Sequence, residues 1–256
     1  MRALVTGAGG RLGAAMAEEL AALGHDVAIH YAASADGAER TADAVRGHGR
    51  AAATLGADLL DLDAAEALVP RAAAALGGPL DVLVNNASIF EHDDIRTATR
   101  ESWDRHMRSN LHAPFLLTQA FAAQAPDADR DPEPRARASI VNMIDQRVLK
   151  LTPEFMTYTL AKSALWTLTR TAAQALAPEV RVNAIGPGPT LRGHRQSEAH
   201  FAAQRAATVL GRGADPCGIR EALRYLLSAP AVTGQLICVD GGQHLGWRTP
   251  DVLGVE

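Results

Sequence analysis

The chain has 256 residues, 47% of them hydrophobic and 21% charged, with 22 glycines, 13 prolines and 4% aromatics. This is the composition of a soluble globular protein, and one α/β domain spanning 1–256 can bury a sizeable core at this length. A formal net charge of −4 gives no field to attract phosphate backbones or anionic membranes, so no nucleic-acid or membrane partner is expected and a small-molecule substrate is. Two cysteines without metal-ligand spacing, a glycine already at position 7 and no apolar run of the roughly 18–20 residues that span a bilayer point to a cytoplasmic protein without a secretion signal.

Short β-rich runs alternate with longer helical patterns along the chain. Ala3-Leu4-Val5 leads through a glycine-rich turn into an apolar stripe at Leu12, Met16, Leu20 and Leu23, which Gly24 terminates. That pattern predicts a strand followed by a helix packed on a sheet. Val27-Ala28-Ile29 predicts the next strand, and Ala53-Thr54-Leu55 another despite its alanine content. Val82-Leu83-Val84 follows, then a segment at 101–124 long enough for a major helix, bent at Pro114. Residues 125–135 are dense in proline and charge and predict a surface loop within the domain. Ile140-Val141-Asn142-Met143-Ile144 resumes the strands; 154–176 predicts a second major helix with Thr152-Pro153-Glu154 as cap and first turn. Residues 180–185 and Leu236-Ile237-Cys238-Val239 close the series. Such alternation implies a parallel sheet covered by helices.

Thr6-Gly7-Ala8-Gly9-Gly10-Arg11-Leu12-Gly13 sits at the first strand-to-helix turn. Glycines there let a pyrophosphate approach backbone N–H groups at a helix N-terminus, whose dipole favours the anion. A unit selecting NAD usually carries an acidic residue about 20 positions further on. Here that stretch reads Ile29-His30-Tyr31-Ala32-Ala33-Ser34. With no carboxylate to repel a 2′-phosphate, and with Arg11, His30 and Ser34 as donors, the predicted cofactor is NADPH.

Tyr158 and Lys162 lie four residues apart, one turn along a helical face. A neighbouring cation stabilises tyrosinate and brings a phenol towards the range useful for proton transfer. In isolation such a pair means little, since many helices carry one on an exposed stripe. Here it is accompanied by Asn85-Asn86-Ala87, Asn110, Pro187-Gly188 and Val239-Asp240-Gly241-Gly242. With these motifs the sequence resembles the short-chain dehydrogenase/reductase family over nearly its whole length. The resemblance implies a single Rossmann-type doubly wound parallel sheet flanked by helices, with a nicotinamide nucleotide at the strand ends. It further implies that Asn110, Tyr158 and Lys162 hold the catalytic positions and that Asp58 and Leu59 lie beside the adenine. Gly7, Leu12, Gly13, Tyr31, Asn86, Ala87, Pro187 and Gly188 would also line the cofactor, and the assembly would be a homotetramer.

Two departures narrow the reading. Arg11 stands where the family usually has glycine, and Asp145 stands where it has a serine thirteen residues before the tyrosine. An ionised carboxylate would repel the oxyanion that develops in ketone reduction, but it can accept N–H bonds from a nitrogen-rich ring or relay a proton to it. The pattern at 6–13, His30-Tyr31, Asn86-Ala87-Ser88 with Phe90, Asp145 and Tyr158 through Lys162 resembles the pteridine reductase branch. That resemblance implies NADPH-dependent reduction of a dihydropterin, with Phe90 sandwiching the pterin against the nicotinamide and Ser88 near the cofactor phosphates or the pterin edge. Two alternatives stay open: a reductase of ketones or 3-oxoacyl groups, and a non-catalytic nucleotide-binding regulator. Glu91-His92-Asp93-Asp94 is expected as a solvated loop without metal, His112, His194 and His244 have no spacing that singles them out, and 192–200 is expected to form a flap over the substrate.

Overall fold

The computed structural model describes residues 1–193, 196–249 and 252. Seven strands, β1 (Arg2–Val5), β2 (Asp26–Tyr31), β3 (Ala52–Gly56), β4 (Val82–Asn85), β5 (Ala138–Met143), β6 (Val180–Pro187) and β7 (Leu236–Val239), form one sheet in the order β3-β2-β1-β4-β5-β6-β7. Every pairing is parallel. The expected doubly wound sheet is present, and each predicted strand, including the alanine-rich one, has an observed counterpart, with Ile144 falling one residue past the end of β5. The order reverses between β1 and β4, the place where open α/β sheets bind ligands at the carboxyl ends of their strands.

Because strand side chains alternate between faces, Ala3 and Val5 point into one core and Leu4 into the other. The first core is closed by α1 (Arg11–Ala22), α2 (Ala35–Gly47) and α8 (Pro216–Ser228), and the second by α3 (Leu62–Ala75), α5 (Ala113–Ala122) and α6 (Met156–Ala175). Burial on both faces explains why the strands read as short continuous apolar runs. Two further helices, α4 (Arg100–Met107) and α7 (Glu198–Ala206), complete the fold, and no helix among the described residues is long and apolar enough to cross a membrane.

Two helical expectations need correction. Segment 101–124 is not one helix bent at Pro114: α4 passes into a π-helical turn, Arg108–His112, before α5 begins, with Pro114 in the first turn of α5. Proline offers no N–H and its ring crowds the carbonyl four residues earlier, and the widened turn accommodates both. The second major helix begins at Met156, not at residues 152–154, because its N-terminus is fixed by a side chain from elsewhere, as described below. The 125–135 excursion is anchored by an antiparallel bridge between Asp129 and Arg135.

The α1–α8 contact carries a buried charge. Glu19 is 1% exposed and accepts hydrogen bonds from Arg220 Nε (2.8 Å) and Arg224 Nε (2.7 Å). Burial alone would raise its pKa, but the two guanidinium groups outweigh that and hold it below the ordinary glutamate value. A depressed folded-state pKa stabilises the protein above the unfolded value, and the contribution is lost as pH falls through the folded one. Glu19→Gln should therefore lower the unfolding free energy at pH 7 by about 1–2 kcal/mol. In denaturant titrations the difference should vanish at acidic pH; a difference that persists there contradicts its ionic origin.

Candidate active site

Thr6 and the residues after it leave β1 at the switch point. Gly7 has φ +63°, and a Cβ there would lie 2.9 Å from Ala87 Cα, so glycine satisfies both the backbone and the packing. Gly13 brings α1 against the same turn: its Cβ would fall 2.3 Å from Gly7 O and 2.7 Å from Asn86 Nδ2. The Thr6 hydroxyl accepts the N–H groups of Asn86 (2.9 Å) and Ala87 (3.0 Å), and Asn86 Nδ2 donates to Thr6 O (2.8 Å) and Gly7 O (3.1 Å). The loops after β1 and β4 are thereby held together.

These loops border a cavity of about 830 Å³ that runs from Gly7, Leu12 and Gly13 past Tyr31 and Ser34 to Asp58 and Leu59, with Asn86, Ala87 and Ser88 on its opposite side. Two expected phosphate donors are engaged elsewhere. His30 is 1% exposed: its Nδ1 accepts the Gly7 N–H at 3.0 Å and its Nε2 donates to Ala57 O at 3.0 Å. Burial pushes its pKa down, so it is a neutral brace for the glycine turn with no donor left for a phosphate. Arg11 has a left-handed backbone, φ +53°, and its guanidinium donates to the carbonyls of Arg192 (3.0 Å) and Leu191 (3.2 Å), across the mouth of a second cavity.

That second cavity, of about 320 Å³, adjoins the first at Arg11, Leu12, Asn86 and Ser88. Phe90, Asp145, Tyr158, Lys162, Pro187 and Gly188 all line it. Asp145 caps the short 3₁₀ turn Gln146–Val148, accepting the Arg147 N–H at 2.8 Å on Oδ1, while its Oδ2 accepts the Tyr158 hydroxyl at 3.0 Å. Desolvation raises the Asp145 pKa. Desolvation and then the Asp145 carboxylate raise that of Tyr158 well above the ordinary phenol value of 10, against smaller opposing effects of the Arg147 charge and a hydrogen bond with Ser88. This corrects the expectation that Lys162 would draw the phenol down: Lys162 Nζ lies 5.7 Å from the ring centre and donates to Met143 O at 2.7 Å. Burial lowers its own pKa to about 8. In this arrangement the phenol is a protonated donor and the carboxylate its acceptor.

Phe90 is 46% exposed and stacks on Phe155 at 4.3 Å between centroids and 5° between planes, with Tyr158 edge-on at 4.7 Å. The segment carrying Phe90 is held from two sides. Asn110, fully buried in the π-turn, spends both ends of its amide on the Ile89 backbone, donating to its O (2.8 Å) and accepting its N–H (2.9 Å). It touches the loop and not the phenol. Asp93, expected in a solvated loop, is 2% exposed and accepts the Thr157 N–H (3.1 Å), the Thr157 hydroxyl and the Ser102 hydroxyl (3.1 Å). Burial acts to raise its pKa, but these bonds outweigh it and hold the group ionised at the N-terminus of α6. His106, also buried, donates from Nδ1 to Thr157 Oγ1 (2.7 Å) and accepts the Glu91 N–H at Nε2 (3.2 Å). Sequence reasoning missed Asp93, His106, Phe155 and Arg147; the separation of Asp93 from Thr157 by 64 residues left no local signal.

In the segment expected as a flap, Arg192 Nη1 donates to Gln196 O (3.1 Å), Ser197 caps α7, and Leu191, Gly193 and Gln196 line the smaller cavity. His194 and Arg195 lie outside the described residues. His244 pairs with the buried Asp240 at 2.7 Å, and His112 closes the π-turn.

A sheet of this order with a glycine turn at its reversal and an Asp-Tyr-Lys cluster at its strand ends defines a nucleotide-dependent oxidoreductase. The profile of the enoyl-(acyl carrier protein) reductase family matches residues 7–244, and the chain belongs to the short-chain dehydrogenase/reductase family. It is similar to FolM alternative dihydrofolate reductase 1 from Brucella suis, crystallised in complex with NADP, at 42% identity, 98% coverage of each chain and a TM-score of 0.91. Pteridine reductase 1 of Leishmania tarentolae is 32% identical over 95% of this chain and 96% of its own. A putative ketoacyl reductase of the granaticin polyketide synthase from Streptomyces violaceoruber is 32% identical over 95% of this chain and 96% of its own.

Removing the Asp93 carboxylate should orphan Thr157 and expose the first amides of α6. Asp93→Ala is expected to cost about 2–3 kcal/mol of unfolding free energy. A loss below about 0.5 kcal/mol in chemical denaturation would show that the cap is not needed.

Proposed function

We propose that the protein reduces a dihydropterin to the tetrahydropterin with NADPH. The observation that carries this reading is the buried Asp145 carboxylate accepting the Tyr158 hydroxyl inside a cavity bordered by Phe90. A carboxylate in that position is adverse to the alkoxide of ketone reduction and suited to a ring that presents N–H groups. The names of the Brucella and Leishmania relatives, a dihydrofolate reductase and a pteridine reductase, support the same substrate class.

The larger cavity fits the nucleotide: glycines where a side chain would collide, backbone N–H groups at the start of α1, and no carboxylate at the end of β2 to oppose a 2′-phosphate. NADPH, when bound, supplies a hydride. Lys162 would hold its ribose, Ser88 would lie near the phosphates or the pterin edge, and Asp58 and Leu59 would flank the adenine. Phe90 would lie against the pterin and keep the ring planar to the approaching hydride. Tyr158 and Asp145 act as a coupled acid: their hydrogen bond and raised pKa values keep a proton between them for the ring nitrogen next to the carbon that is reduced. Asn110 acts at one remove, by fixing the backbone that carries Ser88 and Phe90.

The proposal extends to one domain over 1–256, a cytoplasmic location in keeping with the unpaired Cys217 and Cys238, and a homotetramer that would cover the exposed Trp103 and Phe115 of α4 and α5.

NADPH oxidation by the purified protein should proceed with dihydropterins; turnover of ketones or 3-oxoacyl substrates alone would assign it to carbonyl reduction, and turnover of none would leave a binding protein. Tyr158→Phe should lower kcat by at least ~10²-fold, equivalent to about 3 kcal/mol, and near-normal turnover would remove the phenol from the reaction. Since Lys162 loses its proton near pH 8, NADPH affinity should weaken as pH rises through about 8 in the parent protein but not in Lys162→Met. An unchanged pH profile in that variant contradicts the ribose-holding role.

A further inference from the structure

Residues 86–94, which carry Phe90, have no regular secondary structure, so their path depends on bonds made to them from other elements. Two side chains four residues apart on one helical run bond the backbone on either side of Phe90. Asn110 takes both polar groups of Ile89, and His106 Nε2 accepts the N–H of Glu91 at 3.2 Å. The other ring nitrogen of His106 reaches α6: Nδ1 lies 2.7 Å from the hydroxyl of Thr157, the residue before Tyr158. One fully buried imidazole therefore bridges the chain neighbour of Phe90 to the chain neighbour of Tyr158. Its ring also meets the Tyr158 ring edge-on, 6.1 Å between centres.

The hydrogen bonds fix the state of that imidazole. The ionised Asp93 carboxylate can only accept, so the Thr157 hydroxyl gives it a hydrogen and turns a lone pair to Nδ1, which must carry one. The Glu91 N–H is a donor, so Nε2 must be bare. The neutral Nδ1–H tautomer alone satisfies both. A second proton would set two donors face to face at Glu91, breaking that bond and leaving the one to Thr157. Burial favours the neutral form and holds the His106 pKa below the ordinary histidine value, aided by the Arg105 charge. The Asp93 charge, the Ser102 carbonyl and Glu91 act the other way without overcoming it, and the Glu91 carboxylate is itself paired with Arg105 at 3.0 Å. From α6 the ring faces Thr157 and Tyr158, whose phenol stays protonated.

We propose that His106 is a positioning residue for the substrate wall: as a neutral clasp it holds the Phe90 segment against the start of α6, and it releases that segment on taking up a proton. The clasp belongs to the protein alone. Its effect on substrate rests on the dihydropterin reading, which puts the ligand ring against Phe90. Asn110 grips the other side of Phe90 with an amide, which does not titrate, so one arm of the pincer responds to pH and the other does not. In mild acid, substrate affinity therefore weakens before the proton-donating pair is disturbed, since Tyr158 and Asp145 hold their hydrogen bond independently of Glu91.

Hydrogen exchange read amide by amide, with no ligand added, tests the clasp without turnover. In the parent protein the protection factor of the Glu91 amide should fall about 5-fold or more between about pH 8 and about pH 5, while that of Ile89 holds. His106→Asn keeps a donor for Thr157 but places no acceptor at Glu91. It should lose Glu91 protection throughout that range and raise KM for a dihydropterin about 3–10-fold with kcat little changed. His106→Gln, whose side-chain oxygen extends to the position of Nε2, should keep Glu91 protection and KM within about twofold of the parent at about pH 8, and its Glu91 protection should not vary with pH. Melting curves establish that both variants are folded, and the pH series of the parent carries the test if one is not. Equal losses in the two variants, or a pH dependence of Glu91 protection that survives in His106→Gln, would overturn the clasp and leave His106 as packing. The two readings separate: pH-dependent protection at Glu91 without dihydropterin turnover sinks the proposed reaction alone, and turnover with Glu91 protection indifferent to pH sinks the clasp alone.

Discussion

The hydrogen bond between the Tyr158 hydroxyl and Asp145 Oδ2 sets the terms for the rest of the site. Both groups sit in a desolvated corner that disfavours charge; the Asp145 carboxylate raises the cost of ionising the phenol, while the phenol's hydrogen bond partly offsets the desolvation of the carboxylate. Such a pair is better at keeping a proton than at removing one. With a hydroxyl in place of the carboxylate, the same phenol would face a neutral partner able to donate to a carbonyl oxygen. In the proposed reaction the carboxylate makes that corner an acceptor of N–H groups and a store of one proton, so the proposed substrate class rests on a single side chain. Lys162, next to this pair in space but bonded to Met143 O, acts on its field without entering its hydrogen bond.

Around that contact the fold places few groups at random. Thr6 and Asn86 tie the turn after β1 to the loop after β4; Asn110 grips the same loop at Ile89; Asp93 binds its far end to the start of α6. Each bond satisfies a backbone group that burial would otherwise leave unpaired, so precision at Phe90 and Tyr158 comes with the ordinary requirement to satisfy buried polar atoms. The aromatic contacts of Phe90 with Phe155 and Tyr158 then link the loop after β4 directly to α6.

Much of this architecture was legible in the sequence. Parallel strands buried on both faces leave short apolar runs, and the stripe from Leu12 to Leu23 with its terminal glycine marked α1. The cluster at Asp145, Tyr158 and Lys162 was visible as residue types at a recognisable spacing, and all three line one cavity. What stayed hidden depended on partners distant in the chain. A polar stretch such as Glu91 to Asp94 gives no local sign that one of its carboxylates is buried against a helix 64 residues away. His30 looked like a phosphate donor because only the tertiary structure shows both of its nitrogens occupied by backbone. The direction of the Tyr158 shift was misjudged for a related reason: spacing reports the nearby cation but not the desolvation and the opposing carboxylate that outweigh it.

The π-turn at Arg108–His112 has an implication for how this chain tolerates change in length. Such a turn accommodates one more residue than the α-helix it interrupts, so shortening the chain by one there would restore plain α-helical register. The helices on either side would keep their relation, because the extra residue is absorbed within the turn itself. Only the turn would be rebuilt, and the Asn110 amide within it would move off Ile89. A single-residue deletion in a helix remote from the glycine turn would thus unsettle the loop that carries Phe90 while α4 and α5 stay in register.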